Sequence, residues 1–91
     1  MQIQGTIKLI QPIEQINSNF KKREVIITIQ NGDYKDDVSF QLLQEQTNLL
    51  NGFQVGQKVD CAFNLRGKEW KGKEGVKKYY NSLVIWSMKA A

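Results

Sequence analysis

Between Arg66 and Tyr80 the sequence reads RGKEWKGKEGVKKYY, which sets six of the chain's thirteen basic residues around a tryptophan and ends on two tyrosines. Lysine and arginine neutralise phosphates, and an indole offers a flat face on which a base stacks for about 1–3 kcal/mol. Cation and aromatic interleaved in this way suit a single strand of nucleic acid, whose unpaired bases are free to stack. Trp70, between Lys68 and Lys71, is best placed for that contact. The competing expectation is that Trp70 folds back as a lid on the core. A second basic run, Lys21-Lys22-Arg23, follows Phe20. Together with Arg66, Lys68, Lys71, Lys73, Lys77 and Lys78 it gathers nine of thirteen cations into two stretches, opposed there only by Glu24, Glu69 and Glu74. These nine are the candidate phosphate contacts. Tyr79, Tyr80 and Phe20 are further stacking candidates, with core or cross-strand packing as the alternative. Neighbours in a strand point oppositely, so one of the two tyrosines must face outward. Trp86, among apolar neighbours, reads as packing or a subunit contact.

Other chemistries find little support. The chain has no histidine and one cysteine, Cys61, so Cys/His zinc sites, disulfides and histidine acid–base relays are excluded, and no metal or cofactor is expected. Asp36-Asp37 is an acidic pair, but a strand would send its two side chains to opposite faces. No phosphate-binding glycine loop or serine-centred motif accompanies it, and the protein is not expected to be an enzyme. A net charge of +4 and a pI near 9.3 favour polyanionic partners. No run of apolar residues is long enough to span a membrane, and Met1-Gln2-Ile3-Gln4-Gly5 lacks the features of a signal peptide; a cytoplasmic location is expected.

The elements that must position these residues are mostly strands. At 91 residues a single domain, residues 1–91, is expected. Ile3, Ile7 and Leu9 alternate with polar residues up to Pro12, predicting a first strand. Phe20 to Ile29 predicts a second, with Val25, Ile27 and Ile29 inward, and Asn31-Gly32-Asp33 a tight hairpin into a third strand carrying Val38, Phe40 and Leu42 inward. Leu43 to Leu50, before Gly52, predicts a short helix from its leucine spacing of seven. Val59, Cys61, Phe63 and Leu65 then alternate strictly as a fourth strand. A charged, glycine-punctuated loop leads into a last strand, Lys77 to Trp86, whose inward face the pattern leaves open. Three strands, a helix and two strands match the all-β, five-stranded Greek-key OB-fold barrel, with its helix between strands three and four. Lys21 to Arg23 then lie at the first long loop, L12, and the Arg66–Tyr80 stretch is L45. OB-folds commonly take oligonucleotides there.

The segment Phe63-Asn64-Leu65-Arg66-Gly67-Lys68-Glu69-Trp70, with Tyr79-Tyr80-Asn81-Ser82-Leu83 further on, resembles the signature F-N-L-R-G-x-E-W…Y-F-N-S-L. That signature belongs to a small bacterial and phage OB-domain family related to single-stranded DNA-binding proteins. The resemblance implies a stacking role for Trp70 and backbone contacts for Arg66 and Lys68. Those relatives carry a disordered linker and an acidic tip that recruit partners, whereas this sequence ends at Met88-Lys89-Ala90-Ala91, so no such recruitment is expected. Its strand-one residues are its own, so a tetramer is not implied and a dimer is the expectation. The reading is of a non-catalytic OB-fold that binds single-stranded DNA with low sequence preference, in replication, recombination or repair. Two rivals stand beside it: a protein-interaction module anchored by Trp70, and an RNA-binding OB of cold-shock type.

Overall fold

Alternating apolar residues dictate strands, and a computed structural model describing residues 1–91 contains six: β1 (Gln2–Ile10), β2 (Glu14–Asn17), β3 (Phe20–Asn31), β4 (Tyr34–Leu43), β5 (Lys58–Lys71) and β6 (Lys77–Ala90). Their order in the sheet is β1-β5-β6-β4-β3-β2, and a further β1–β3 pairing closes β1, β3, β4, β6 and β5 into a barrel. The β4–β6 contact is parallel and the other pairings are antiparallel. This is the OB barrel, with the short β2 added on L12. No helix is long and apolar enough to cross a membrane.

Closure depends on β1, which pairs with β5 through Gln2 to Thr6 and with β3 through Thr6 to Ile10. At Gly5 a Cβ would lie 2.7 Å from the Thr28 carbonyl oxygen and would run into the Ile27 side chain. Only glycine permits so close an approach. A bulge at Lys8 follows, with Ile7 paired to Ile27 and Leu9 to Ile26. The extra residue exposes Leu9 and brings Ile10 against the core, so the expectation that Leu9 shares Ile7's face is overturned. Lys8 instead pairs with Asp37 on β4. That carboxylate also accepts from Thr28 Oγ1 at 2.7 Å, and the two contacts hold it below the usual carboxylate range.

Ile7, Val25, Ile27, Phe40, Leu42, Val59, Cys61 and Ile85 fill the barrel, and Phe40 meets Phe63 edge-to-face at 5.3 Å. Burial, and secondarily Asp60, pushes the Cys61 thiol up to about 11, which makes it a packing residue with little thiolate to react. Gly32, the first of two loop residues between Asn31 and Tyr34, takes φ 58° and closes the β3–β4 hairpin. The short helix expected after β4 is present as a 3-10 helix, Gln44–Gly52, which begins one residue after Leu43. Leu43 ends β4. At about three residues per turn the inward pair is Thr47 and Leu50, both fully buried.

Arg23 fastens this helix to the barrel. Its Nε donates to the Gln11 carbonyl at 2.7 Å, and its Nη1 donates to the Thr47 carbonyl at 3.3 Å and to Asn51 Oδ1 at 3.1 Å. Gln44 ties the start of the helix to the β2–β3 turn. Its Nε2 donates to the Asn19 carbonyl at 2.9 Å and its Oε1 accepts from the Lys21 N–H at 3.4 Å. To do so it holds φ at 55°, a left-handed conformation that costs a non-glycine residue about 1 kcal/mol or more.

The expected L45 loop is largely strand. β5 and β6 stay paired out to Lys71 and Lys77, and only Gly72 to Val76 turns, closed by the Gly72 N–H donating to the Val76 carbonyl at 2.8 Å. Beyond the barrel rim this hairpin stands off as a two-stranded arm. A radius of gyration of 14.6 Å, against about 12 Å for a compact chain of this length, reflects it.

Two stability predictions follow from these contacts. Gly5→Ala should lower the unfolding free energy by about 1–3 kcal/mol in urea titration, through backbone crowding where β1 crosses β3. Arg23→Ala should cost about 1.5–3 kcal/mol through its lost charged hydrogen bonds. Arg23→Lys, which keeps the charge without the three-way fork, should recover little of that loss.

Candidate nucleic-acid interface

Paired residues on neighbouring strands project to the same side, so the β5–β6 register sorts the arm into two faces. One carries Arg66 with Ser82, Lys68 with Tyr80, and Trp70 with Lys78. The other carries Gly67 with Asn81, Glu69 with Tyr79, and Lys71 with Lys77. The sequence could say only that the tyrosines diverge. Tyr80 joins the arginine and tryptophan, and Tyr79 does not.

Glu69, the one acid of the paired arm, is occupied on the second face. It accepts from the Tyr79 hydroxyl at 3.4 Å and lies 3.6 Å from Lys77 Nζ. Arg66, Lys68 and Lys78, on the first face, enter no salt bridge. Trp70 is 49% exposed and belongs to the arm rather than to the core. Its ring edge rests on Gly72, where a Cβ would come within 2.6 Å of Cζ3. Trp70 is therefore no lid on the barrel; a glycine of its own hairpin supports it, and about half of its surface is exposed.

At the root of the arm the first face opens into a groove of about 760 Å³. Arg66, Lys68, Tyr80 and Ser82 form one wall, Phe20 and Lys22 the other, and Gln41, Leu43 and Val84 the floor between. Val84 sits opposite Gln41 in the parallel β4–β6 contact, which brings L12 and L45 to the same groove. The β2–β3 hairpin, with Glu14 opposite Lys22 and Asn17 opposite Phe20, holds the far wall, and Gln44 clamps its turn.

Of the thirteen candidate residues, the fold gathers Phe20, Lys22, Arg66, Lys68, Trp70, Lys78 and Tyr80 on or beside this groove. Lys71, Lys77 and Tyr79 lie on the opposite face of the arm, and Lys73 in its turn. Lys21 pairs with Gln15 on the β2–β3 hairpin. Arg23 is committed to the helix tie and has its guanidinium turned to Gln11, Thr47 and Asn51. Sequence reasoning passed over Gln41, Leu43, Ser82 and Val84. The first two were readable, since they alternate with inward Phe40 and Leu42; the last two depended on a strand whose face the pattern left open.

The barrel is similar to several solved structures. The mitochondrial single-stranded DNA binding protein Rim1 of S. cerevisiae superposes with a TM-score of 0.72 at 19% identity, over 99% of this chain and 91% of that one. The N-terminal domain of PriB from Thermoanaerobacter tencongensis, described as dimeric, gives 0.69 at 14% identity over 100% and 93%. PriB from Ralstonia solanacearum gives 0.65 at 11% identity over 100% and 96%. At these identities the likeness is one of fold. No curated protein matches the sequence. The family model of DUF3127, a domain of unknown function, matches residues 2–89, and the chain belongs to that family.

Proposed function

We propose that the protein is a non-catalytic single-strand-binding OB domain that holds DNA of little sequence preference along the groove and the first face of the arm. One observation carries this reading: Lys22, Arg66, Lys68 and Lys78 share a continuous surface with Trp70 and Tyr80, while the arm's acid, Glu69, is turned away and neutralised. The cations neutralise successive phosphates, and the two ring faces accept bases of any identity, because every base has a π-face. Phe20, partly buried on the far wall, completes the apolar lining. Arg23 contributes by fastening the 3-10 helix to the barrel, not by touching phosphate.

The structural neighbour named for single-stranded DNA binding, Rim1, supports the choice of ligand, and the dimeric PriB domain supports a dimer as the working assembly. The role that fits is protection of exposed strands during replication, recombination or repair in the cytoplasm.

Anisotropy titration with labelled oligo-dT, oligo-U and duplex DNA tests the reading. Oligo-dT should bind most tightly, and its affinity should fall steeply with salt. Trp70→Ala should lose about 1–3 kcal/mol of affinity with its unfolding midpoint almost unchanged. Lys68→Ala with Lys78→Ala should flatten the log–log salt slope by about 1.4, at roughly 0.7 per phosphate contact on single strands. Lys71→Ala with Lys77→Ala, on the opposite face, should do much less. If both lysine pairs had equal effects, the arm would not be binding through one face, and the groove assignment would fail.

A further inference from the structure

Trp86 lies outside the site as described, and its position in β6 is unusual. Phe63 pairs with Ile85 and Ala62 with Ser87, so Trp86 is the extra residue of a bulge in β6. Ile85 and Met88 on either side are buried in the core, whereas Trp86 is 54% exposed and is no member of the core cluster. A bulge re-aims the side chain it inserts. Here it spends the chain's only other tryptophan on the outer surface, although an alternating strand offers that surface polar positions at no cost in burial.

The outer surface in question is the one already described. Trp70 with Lys78, Lys68 with Tyr80, Arg66 with Ser82 and Asn64 with Val84 run down the β5–β6 ribbon on one side, and the next pair on that side is Ala62 with Ser87, beside which the unpaired, exposed Trp86 is inserted. Trp70 therefore marks one end of the strip and Trp86 the other, with the groove between them. From Lys78, beside Trp70, to Trp86 the strip is about 25 Å long at about 3.3 Å per residue. That length holds about seven nucleotides at the ~3.4 Å spacing of stacked bases, within the roughly 4–16 that one OB fold occupies.

We propose that Trp86 is a second stacking platform, so that a bound single strand runs lengthwise along β5–β6 from the arm, over the groove floor at Val84, to an indole at the far end. This rests on the single-strand reading above and extends it. The basic groove holds the phosphates in the middle of the path. The two tryptophans hold bases at its ends, and the bulge is what turns the second one to the strand. The strip's cations all lie toward the arm, so the Trp86 end contributes stacking with little charge.

The chain has two tryptophans, so each can be made the sole reporter. In Trp70→Phe the emission comes from Trp86 alone, and saturation with a twelve-nucleotide oligo-dT should quench it. In Trp86→Phe the emission comes from Trp70 and reports on the arm. Binding is followed independently by anisotropy of the labelled strand. If the strand saturates Trp70→Phe while Trp86 emission stays constant, the inference is overturned and the groove reading stands. If wild-type protein binds no single strand, the reading beneath it fails as well. Trp86→Ala should weaken the twelve-nucleotide strand about tenfold or more and leave a four-nucleotide strand, held at the basic arm, nearly unaffected. Equal losses on both lengths, or none, count against it. Sedimentation of Trp86→Ala decides the rival occupant: a drop in assembly mass with no quenching would make Trp86 a contact between copies of this chain and would overturn the proposal.

Discussion

The pairing of β5 with β6 is the constraint on which the rest of the structure depends. Its register runs from Val59 opposite Ala90 to Lys71 opposite Lys77, and one continuous ladder does two jobs. The inner half, through Val59, Cys61, Phe63, Ile85 and Met88, is a wall of the barrel and contributes five core side chains. The outer half has no core to cover, yet its backbone groups are satisfied by the same ladder. An arm built this way projects charged and aromatic side chains at fixed spacing instead of leaving them on a mobile loop. Leu65 shows where the change occurs: it continues the inward alternation of β5 but is 58% exposed, because the barrel has ended beneath it.

A two-stranded ribbon has two faces, and the sequence uses them differently. Glu69 faces Tyr79 and Lys77, which gives the second face a balanced charge pair, and the first face is left with uncompensated cations. The residues responsible are adjacent in sequence, so the separation is produced by alternation alone. It also accounts for how a segment holding two glutamates among its lysines can still present a surface of one sign to a phosphate backbone. Surface ion pairs such as Lys77–Glu69 are worth little in stability; it is the strand position of Glu69 that keeps its negative charge off the first face.

Much of the fold was legible because the barrel strands follow the simple period of two. Val25, Ile27, Phe40, Leu42, Val59 and Cys61 all point where alternation sends them, and Asn31-Gly32 gives the hairpin its turn. The candidate site was legible as a composition and less so as an arrangement. A cluster of lysines in sequence says nothing about which of them share a face until the register is known, and Arg23 looked identical to its neighbours Lys21 and Lys22 although its position at the barrel end gives its guanidinium three acceptors. The 3-10 winding of Gln44–Gly52 was hidden for a related reason: a leucine spacing of seven announces a helix but not its pitch, and the tertiary contacts of Arg23 and Gln44 that tether it join residues far apart in sequence.

The places where alternation failed are bulges, and they are informative for that reason. An extra residue in one strand leaves no mark in the sequence other than a break in pattern, which reads locally as noise. At Lys8 the break exposes Leu9, turns Ile10 to the core and frees a lysine to meet Asp37 across the β1–β3–β4 surface. At Trp86 it places a large aromatic on the outside of the strand, between the buried Ile85 and Met88. The strand changes phase at that residue: the inward set that runs through Leu83 and Ile85 resumes at Met88, so the face that holds for Lys77–Ile85 is reversed over Ser87–Ala90.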